Sequence, residues 1–151
     1  MTEYRGKCPC GQVEMILCSE LAPKDFRPRS DATTCEFCLA HDGVWISDPR
    51  GSIAFRANDR TSVTTFASGR VQFHFCAECG ALAYALFDDP IQRVRVAVAR
   101  IALFDALARQ KLPVAESRFE CETFEAARQR RLLSWTPIRA SAQAKTAASL
   151  E

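Results

Sequence analysis

Six of the eight cysteines fall in close pairs, and these pairs are the residues best suited to chemistry. The pairs are Cys8 with Cys10, Cys35 with Cys38, and Cys76 with Cys79. Two thiolates at C-x-x-C spacing can bind one zinc ion at about 2.3 Å each. Two such pairs and a C-x-C in one chain favour metal over disulfides, with redox use as the alternative. A thioredoxin-like site would need its C-x-x-C to open a helix in a βαβ unit, and the sequence shows no such unit.

The last of these pairs is predicted to form a zinc knuckle at the end of a strand. Val71, Phe73 and Phe75 alternate with the polar Gln72 and His74, which is the pattern of a half-buried strand. Gly80 has no Cβ, so the chain can turn tightly under a metal ion. Two thiolates do not close a structural zinc site, and Cys8 and Cys10 can supply the other two. We therefore predict a four-cysteine zinc centre that ties the first strand to the middle of the chain, with buried free thiols as the alternative.

Length and composition are those of one globular domain. The chain has 151 residues, of which 48% are hydrophobic and 25% charged. A net charge of +2 does not argue for a polyanionic partner, so no nucleic acid is expected. No apolar run approaches the roughly 20 residues of a membrane helix, and the polar N-terminus has no secretory signature. We expect a cytoplasmic protein with one domain over residues 1–137 and a mobile C-terminal tail over 138–151.

Short alternating segments separated by turn residues predict a mainly β fold with one or two short helices. Ser52–Ala57 and Ser62–Ala67 are predicted to form a hairpin. Arg93–Arg100 alternates valines with arginines and small residues, which predicts a strand. Ala126–Trp135 is predicted to be a helix that packs through Leu132, Leu133 and Trp135.

The remaining charged and cysteine residues each have a structural interpretation. Near the C-terminus lies a basic stretch, which we interpret as a solvated helix face or tail: Arg128, Arg130, Arg131, Arg139 and Lys145. His74 lies opposite the apolar face of its strand and is predicted to be exposed or hydrogen-bonded. His41 is either an exposed residue or a third ligand beside Cys38, three positions earlier. Cys18 and Cys121 are predicted to be small buried hydrophobes.

Three motifs in order resemble the glutathione-dependent formaldehyde-activating enzyme (GFA) family, which also includes centromere protein V. Residues 6–13, G-K-C-P-C-G-Q-V, resemble the family opening G-x-C-x-C-G-x-V. Residues 75–80, F-C-A-E-C-G, resemble its F-C-x-x-C-G. Between them, Cys35-Glu36-Phe37-Cys38 lies where the family carries C-H-C-x-x-C. The resemblance covers about Gly6 to Pro90 well and the remainder loosely.

The resemblance implies a tent-like β fold with two zinc sites. The structural site matches Cys8, Cys10, Cys76 and Cys79. The catalytic site matches Cys35 and Cys38, and it implies a carbon–sulfur lyase that acts on a thiol adduct such as S-hydroxymethylglutathione, with glutathione as the small-molecule partner. Thr33 stands where the family has the first catalytic cysteine. A neutral hydroxyl is a poor zinc ligand beside thiolates, so a second zinc is expected to be weakly bound or absent.

The alternative function is a non-enzymatic, zinc-stapled binding module, because one fold can carry several activities. Bound glutathione near Cys35 would favour the enzyme, and a pocket blocked by side chains there would favour the binding module.

Overall fold

The computed structural model describes residues 1–30, 43–56, 60–65, 71–116 and 122–139, and within them the fold is mainly β, as predicted. The strands are β1 Thr2–Lys7, β2 Glu14–Ser19, β3 Arg29–Ser30, β4 Val44–Ile46, β5 Ser52–Arg56, β6 Thr61–Thr65, β7 Val71–Cys76, β8 Leu82–Asp88, β9 Arg95–Arg100, β10 Ala115–Glu116 and β11 Thr136–Pro137. The α-helices are α1 Asp105–Ala108 and α2 Phe124–Ser134, and short 3₁₀ turns span Pro23–Asp25 and Ile101–Leu103.

The strands form two sheets that do not close into a barrel. The small sheet has the order β1-β2-β5, and both of its pairings are antiparallel. The large sheet has the order β10-β3-β4-β9-β8-β7-β6, and β11 adds to β9 beside β4. Its pairings are antiparallel except for β10 with β3. Each sheet therefore receives one cysteine knuckle, after β1 in the small sheet and after β7 in the large one.

The centre of the large sheet is buried on both faces. Every residue of β8 except the last is buried, and so are the four middle residues of β9. One face packs on the small sheet, where the rings of Phe55 and Tyr84 stack with centroids 3.8 Å apart. The other face packs against Trp135, which follows α2. Burial on both faces explains why β8 is a nearly continuous apolar run.

The predicted hairpin over Ser52–Ala57 and Ser62–Ala67 is wrong. Strands form at both places, but β5 pairs with β2 in the small sheet and β6 pairs with β7 in the large sheet. The chain therefore crosses from one sheet to the other between Arg56 and Thr61. Alternation predicts a strand but does not identify its neighbour, because any strand with a matching apolar face can pair with it.

Helix α2 confirms the predicted helix and begins two residues earlier. The side-chain oxygen of Thr123 accepts a hydrogen bond from the Ala126 N–H at 3.1 Å, which is a standard N-terminal cap. Trp135 is buried and Leu132 packs beside it, but Leu133 is 74% exposed and not on the packing side. The helix has 11 residues, and no helix in the described ranges is long and apolar enough to cross a membrane.

The basic stretch is not a uniformly solvated face. Arg128 is buried and ion-paired with Asp89, and Arg130 is ion-paired with the largely buried Glu122. The guanidinium of Arg131 lies 4.9 Å from the centroid of the Phe87 ring. Arg128 and Arg131 thus fasten the helix to β8 and the turn that follows it, whereas Arg130 pairs with a residue just before the helix.

The segment after α2 is hydrogen-bonded to both sheets. Thr136 is buried, and its strand pairs with β9 in the large sheet. The Ile138 N–H donates to the carbonyl of Arg95 at 3.2 Å, and the Arg139 N–H donates to the carbonyl of Ile53 at 2.8 Å. The first two residues of the predicted tail over 138–151 thus join the sheets, and residues 140–151 lie outside the described ranges.

Candidate metal centre

Four cysteines from two distant parts of the chain meet at one point. The Sγ atoms of Cys8, Cys10, Cys76 and Cys79 all lie within 4.8 Å of one another. Two Sγ–Sγ distances, from Cys10 to Cys8 and from Cys10 to Cys76, are 3.5 Å. A disulfide would need about 2.05 Å, whereas four sulfurs about 2.3 Å from a central zinc are about 3.8 Å apart. The cluster therefore has the ligand set and spacing of a tetrahedral zinc site.

The first knuckle is a tight turn between β1 and β2. The Cys8 N–H donates to the carbonyl of Val13 at 3.0 Å, and the Gly11 N–H donates to the carbonyl of Cys8 at 2.9 Å. The Val13 N–H also donates to the Cys8 sulfur at 3.3 Å. Gly11 has a φ of +81°, which glycine adopts without steric cost. These bonds aim both thiols of the turn at the same point.

The second knuckle repeats this geometry between β7 and β8. The Cys76 N–H donates to the carbonyl of Ala81 at 2.9 Å, and the Gly80 N–H donates to the carbonyl of Cys76 at 2.9 Å. Gly80 has a φ of +75°, and a Cβ added there would have no atom within 4 Å. The backbone conformation, and not a lack of space, therefore explains the glycine.

Each knuckle contributes one buried and one exposed sulfur. Cys8 directly follows β1 and Cys76 ends β7, and both are buried, whereas Cys10 and Cys79 lie at the exposed turns. The knuckle with Cys8 and Cys10 belongs to the small sheet, and the knuckle with Cys76 and Cys79 belongs to the large sheet. An ion held by all four sulfurs would join the two sheets directly.

The thiols perturb one another strongly. Burial opposes ionisation of Cys8, but the N–H of Val13 and the neighbouring thiols outweigh it and lower the pKa of Cys8 to about 6. The Gln12 N–H favours the thiolate of Cys10, yet burial and the neighbouring thiols raise the pKa of Cys10 to about 12. Adjacent thiols therefore do not all ionise by themselves. A bound divalent cation would offset the repulsion between neighbouring thiolates, since a thiol that coordinates a metal is deprotonated.

His74 is a structural residue whose side chain is hydrogen-bonded to the neighbouring strand β6. Its Nδ1 lies 2.8 Å from the Oγ1 of Thr61, and its ring stacks on Tyr84 at 4.6 Å between centroids. Burial, together with the charge of Arg95, lowers the pKa of His74 to about 4, so the imidazole is neutral near pH 7. Of the two predicted possibilities, exposed or hydrogen-bonded, the structure shows the second.

The second predicted zinc site lies outside the described residues. This applies to Cys35 and Cys38, to Thr33 and to His41. Cys121 also lies outside them, and Cys18, predicted to be a small buried hydrophobe, is half-buried.

One further residue, Arg60, contacts both knuckles, and no pattern in the sequence predicts this. The guanidinium of Arg60 donates to the side-chain oxygen of Gln12 in the first knuckle, and the carbonyl of Arg60 accepts from the Ala77 N–H in the second. Gln12 and Arg60 are 48 positions apart, and no short motif joins them. Only the position of Gln12, two residues after Cys10, marks it as a neighbour of the site.

The fold and the site define a mainly β protein whose two sheets meet at a four-cysteine cluster. Among solved structures, the chain is similar to a crystal structure of a Rhodobacter sphaeroides protein from structural genomics, with a TM-score of 0.55 and 18% sequence identity. The match covers 75% of this chain and 99% of that one. At this identity the likeness shows the fold alone. No family model matches the chain, and no curated protein matches it.

Proposed function

We propose that the chain is a zinc protein in which Cys8, Cys10, Cys76 and Cys79 hold one structural ion. The convergence of four thiols from two sheets within 4.8 Å is the observation that carries this proposal. A site with four protein ligands has no open position for substrate and contributes to folding and not to catalysis. Its role is to fix the knuckle of the small sheet against the knuckle of the large one.

For catalysis, we propose a carbon–sulfur lyase of the GFA type, acting in the cytoplasm on an adduct of glutathione and formaldehyde. The support is the resemblance of the three cysteine motifs, in order, to that family. Cys35 and Cys38 would be the catalytic ligands in this proposal. A zinc ion with an open position supplies a Lewis acid that lowers the pKa of a bound thiol and polarises a carbonyl oxygen.

The alternative function is a zinc-stapled binding module without chemistry, and Thr33 is the residue that favours it. Two thiolates and a neutral hydroxyl attract Zn²⁺ much less than three thiolates do. The second ion would then be lost readily, while the structural ion stays.

Metal analysis separates the two sites. We expect one zinc per chain by elemental analysis after dialysis against a mild chelator. Thr33→Cys should raise the count toward two, because it restores a third thiolate. Two zinc ions per unmodified chain after the same dialysis would contradict the expected weak second site, and His41 would be the first added ligand to test by substitution.

The same samples test the activity. With one zinc per chain, formation of the adduct from glutathione and formaldehyde, followed by NMR, should not exceed the uncatalysed rate. Thr33→Cys with two zinc ions should accelerate it if the lyase proposal is correct. Thr33→Ser is the matched control, because it keeps a hydroxyl at the position. An inactive Thr33→Cys protein with two zinc ions would favour the binding module.

A further inference from the structure

Arg60 lies where the chain crosses between the sheets, immediately before β6. It contacts both knuckles of the candidate metal centre. Its main chain reaches the second knuckle, where the Ala77 N–H, one residue after Cys76, donates to the Arg60 carbonyl at 2.9 Å. Its side chain reaches the first knuckle, where Nη1 donates to the Oε1 of Gln12.

Gln12 transmits this contact to a metal-ligating sulfur. Gln12 lies two residues after Cys10 and directly before Val13, whose N–H donates to the Cys8 sulfur at 3.3 Å, and its side chain accepts from Arg60. Cys10 is the exposed ligand of its knuckle and is not fixed by burial as Cys8 is. A cation that holds Gln12 in place therefore also restrains the turn that carries Cys10 and the adjacent Val13 N–H that bonds to the Cys8 sulfur.

Charge gives the arginine a second effect. Four thiolates around Zn²⁺ carry a formal charge of −2, and a guanidinium fastened to the knuckle opposes that excess. Hydrogen-bonding partners of the ligands commonly change metal affinity by about 10- to 100-fold when they are removed.

We propose that Arg60 is a positioning residue of the metal centre, which clamps the two knuckles together and slows the loss of the ion. The inference rests on the proposed zinc centre and extends it to a residue that is not itself a ligand. Arg60→Met tests the side-chain contact alone, since the carbonyl that accepts from Ala77 remains.

The measurement is the rate at which zinc passes from the loaded full-length protein to a chromophoric chelator. Arg60→Met should release zinc about 10-fold faster or more, while still binding one ion per chain. Gln12→Ala should also accelerate release, and the double variant should be no faster than Arg60→Met, because both changes remove the same contact. Arg5→Met is the matched control, since Arg5 is an exposed arginine on β1 whose ion pair is with Glu3, and it should release zinc at the parental rate.

Thermal unfolding distinguishes positioning of the ion from general support of the fold. Arg60→Met should lower the Tm of the zinc-loaded protein and leave that of the chelator-treated protein close to the parent's. If Arg60→Met and the zinc-loaded parent release zinc at the same rate, the proposed role of Arg60 is wrong and the metal centre is unaffected. A parent that binds no zinc would overturn the metal centre as well. If Arg60→Met fails to fold, Gln12→Ala decides the question by the same rate criterion.

Discussion

At the scale of single residues, the buried cysteines of the cluster are held by the hydrogen bonds of their knuckles, and the exposed cysteines lie at the turns. Cys76 is 1% exposed and lies at the end of β7, with its N–H and its carbonyl both in hydrogen bonds of the knuckle. Cys79 is exposed at the turn. In the proposed zinc site, loss of Cys76 would remove the ligand that lies where the knuckle joins the sheet.

We predict that Cys76→Ser abolishes stable zinc binding and lowers the free energy of unfolding by several kcal/mol, because binding free energy at a structural site is folding free energy. Cys18→Ser should change it by no more than about 1 kcal/mol, since Cys18 is half-buried and outside the cluster. Cys35→Ser should be tolerated as well. Urea denaturation and elemental analysis of the three variants check this. A Cys76→Ser protein as stable as the parent would rule out the structural site.

At the scale of elements, a buried ion pair fastens α2 to the turn after β8. The Nε of Arg128 lies 2.6 Å from Oδ1 of Asp89, and Nη2 lies 3.1 Å from Oδ2. The Gln92 N–H also donates to Asp89 at 2.7 Å, which closes the β8–β9 turn. Breaking a buried pair by removing one partner leaves the other charge uncompensated, so the helix and the turn lose their link together.

We predict that Asp89→Asn destabilises the protein several times more than Asp88→Asn does. Asp88 is the neighbouring control, ion-paired with Arg95 at 2.8 Å but with both side chains more than half exposed. Exposed pairs typically contribute less than about 1 kcal/mol. Chemical denaturation at pH 7 makes the comparison, and similar losses for the two variants would show that the buried pair does not link helix and turn.

The same variants carry a pH prediction. Hydrogen bonds from Arg128 hold the pKa of Asp89 below its usual range. The carboxylate therefore contributes its full stability above the pKa of the unfolded chain, about 4, and loses it as the pH falls through the lower folded value. The stability difference between the parent and Asp89→Asn should be constant above about pH 5 and should narrow in stronger acid. A difference that widens in acid would contradict this sign.

At the scale of the whole molecule, three of the contacts that join the sheets within the described residues differ in whether they need a metal ion. One is the apolar core between them, which includes the stacked rings of Phe55 and Tyr84. Another is the segment from β11 to Arg139, whose backbone bonds to β9 and then to Ile53. The third is the four-cysteine cluster. Because the core and the C-terminal segment need no metal, loss of zinc should loosen the knuckles before it disrupts the sheets.

We predict that removing zinc with a strong chelator lowers the Tm by about 10 °C or more, as expected for a loss of several kcal/mol in a chain of this size. Hydrogen exchange should rise first at the amides of Gly11 and Gly80, whose bonds close the two turns. Amides in the middle of β8 and β9 should stay protected, since those strands are buried on both faces. Unchanged exchange at both glycines would contradict a metal role in holding the turns.

The sequence by itself determined the features that depend on local pattern. Cysteine spacing with a following glycine predicted both knuckles, because a tight turn needs few residues and a left-handed glycine. Alternation predicted the strands that begin near Val71 and Arg93. A closed structural site needs four ligands and a chelating pair supplies only two, so a second pair had to be found elsewhere in the chain. The resemblance of residues 6–13 and 75–80 to one family implied that Cys8 and Cys10 are that pair.

Tertiary structure alone decided which strands pair and where charges lie. Alternation predicts which face of a strand is apolar but not which strand pairs with it. The sequence therefore predicted one hairpin for β5 and β6, which belong to different sheets. The arginines of α2 were assigned to solvent because Asp89, 39 positions away, is not visible as a partner until the turn and the helix pack. The role of Arg60 could not be predicted either, because its contacts with Gln12 and Ala77 form only when the two sheets bring the knuckles together.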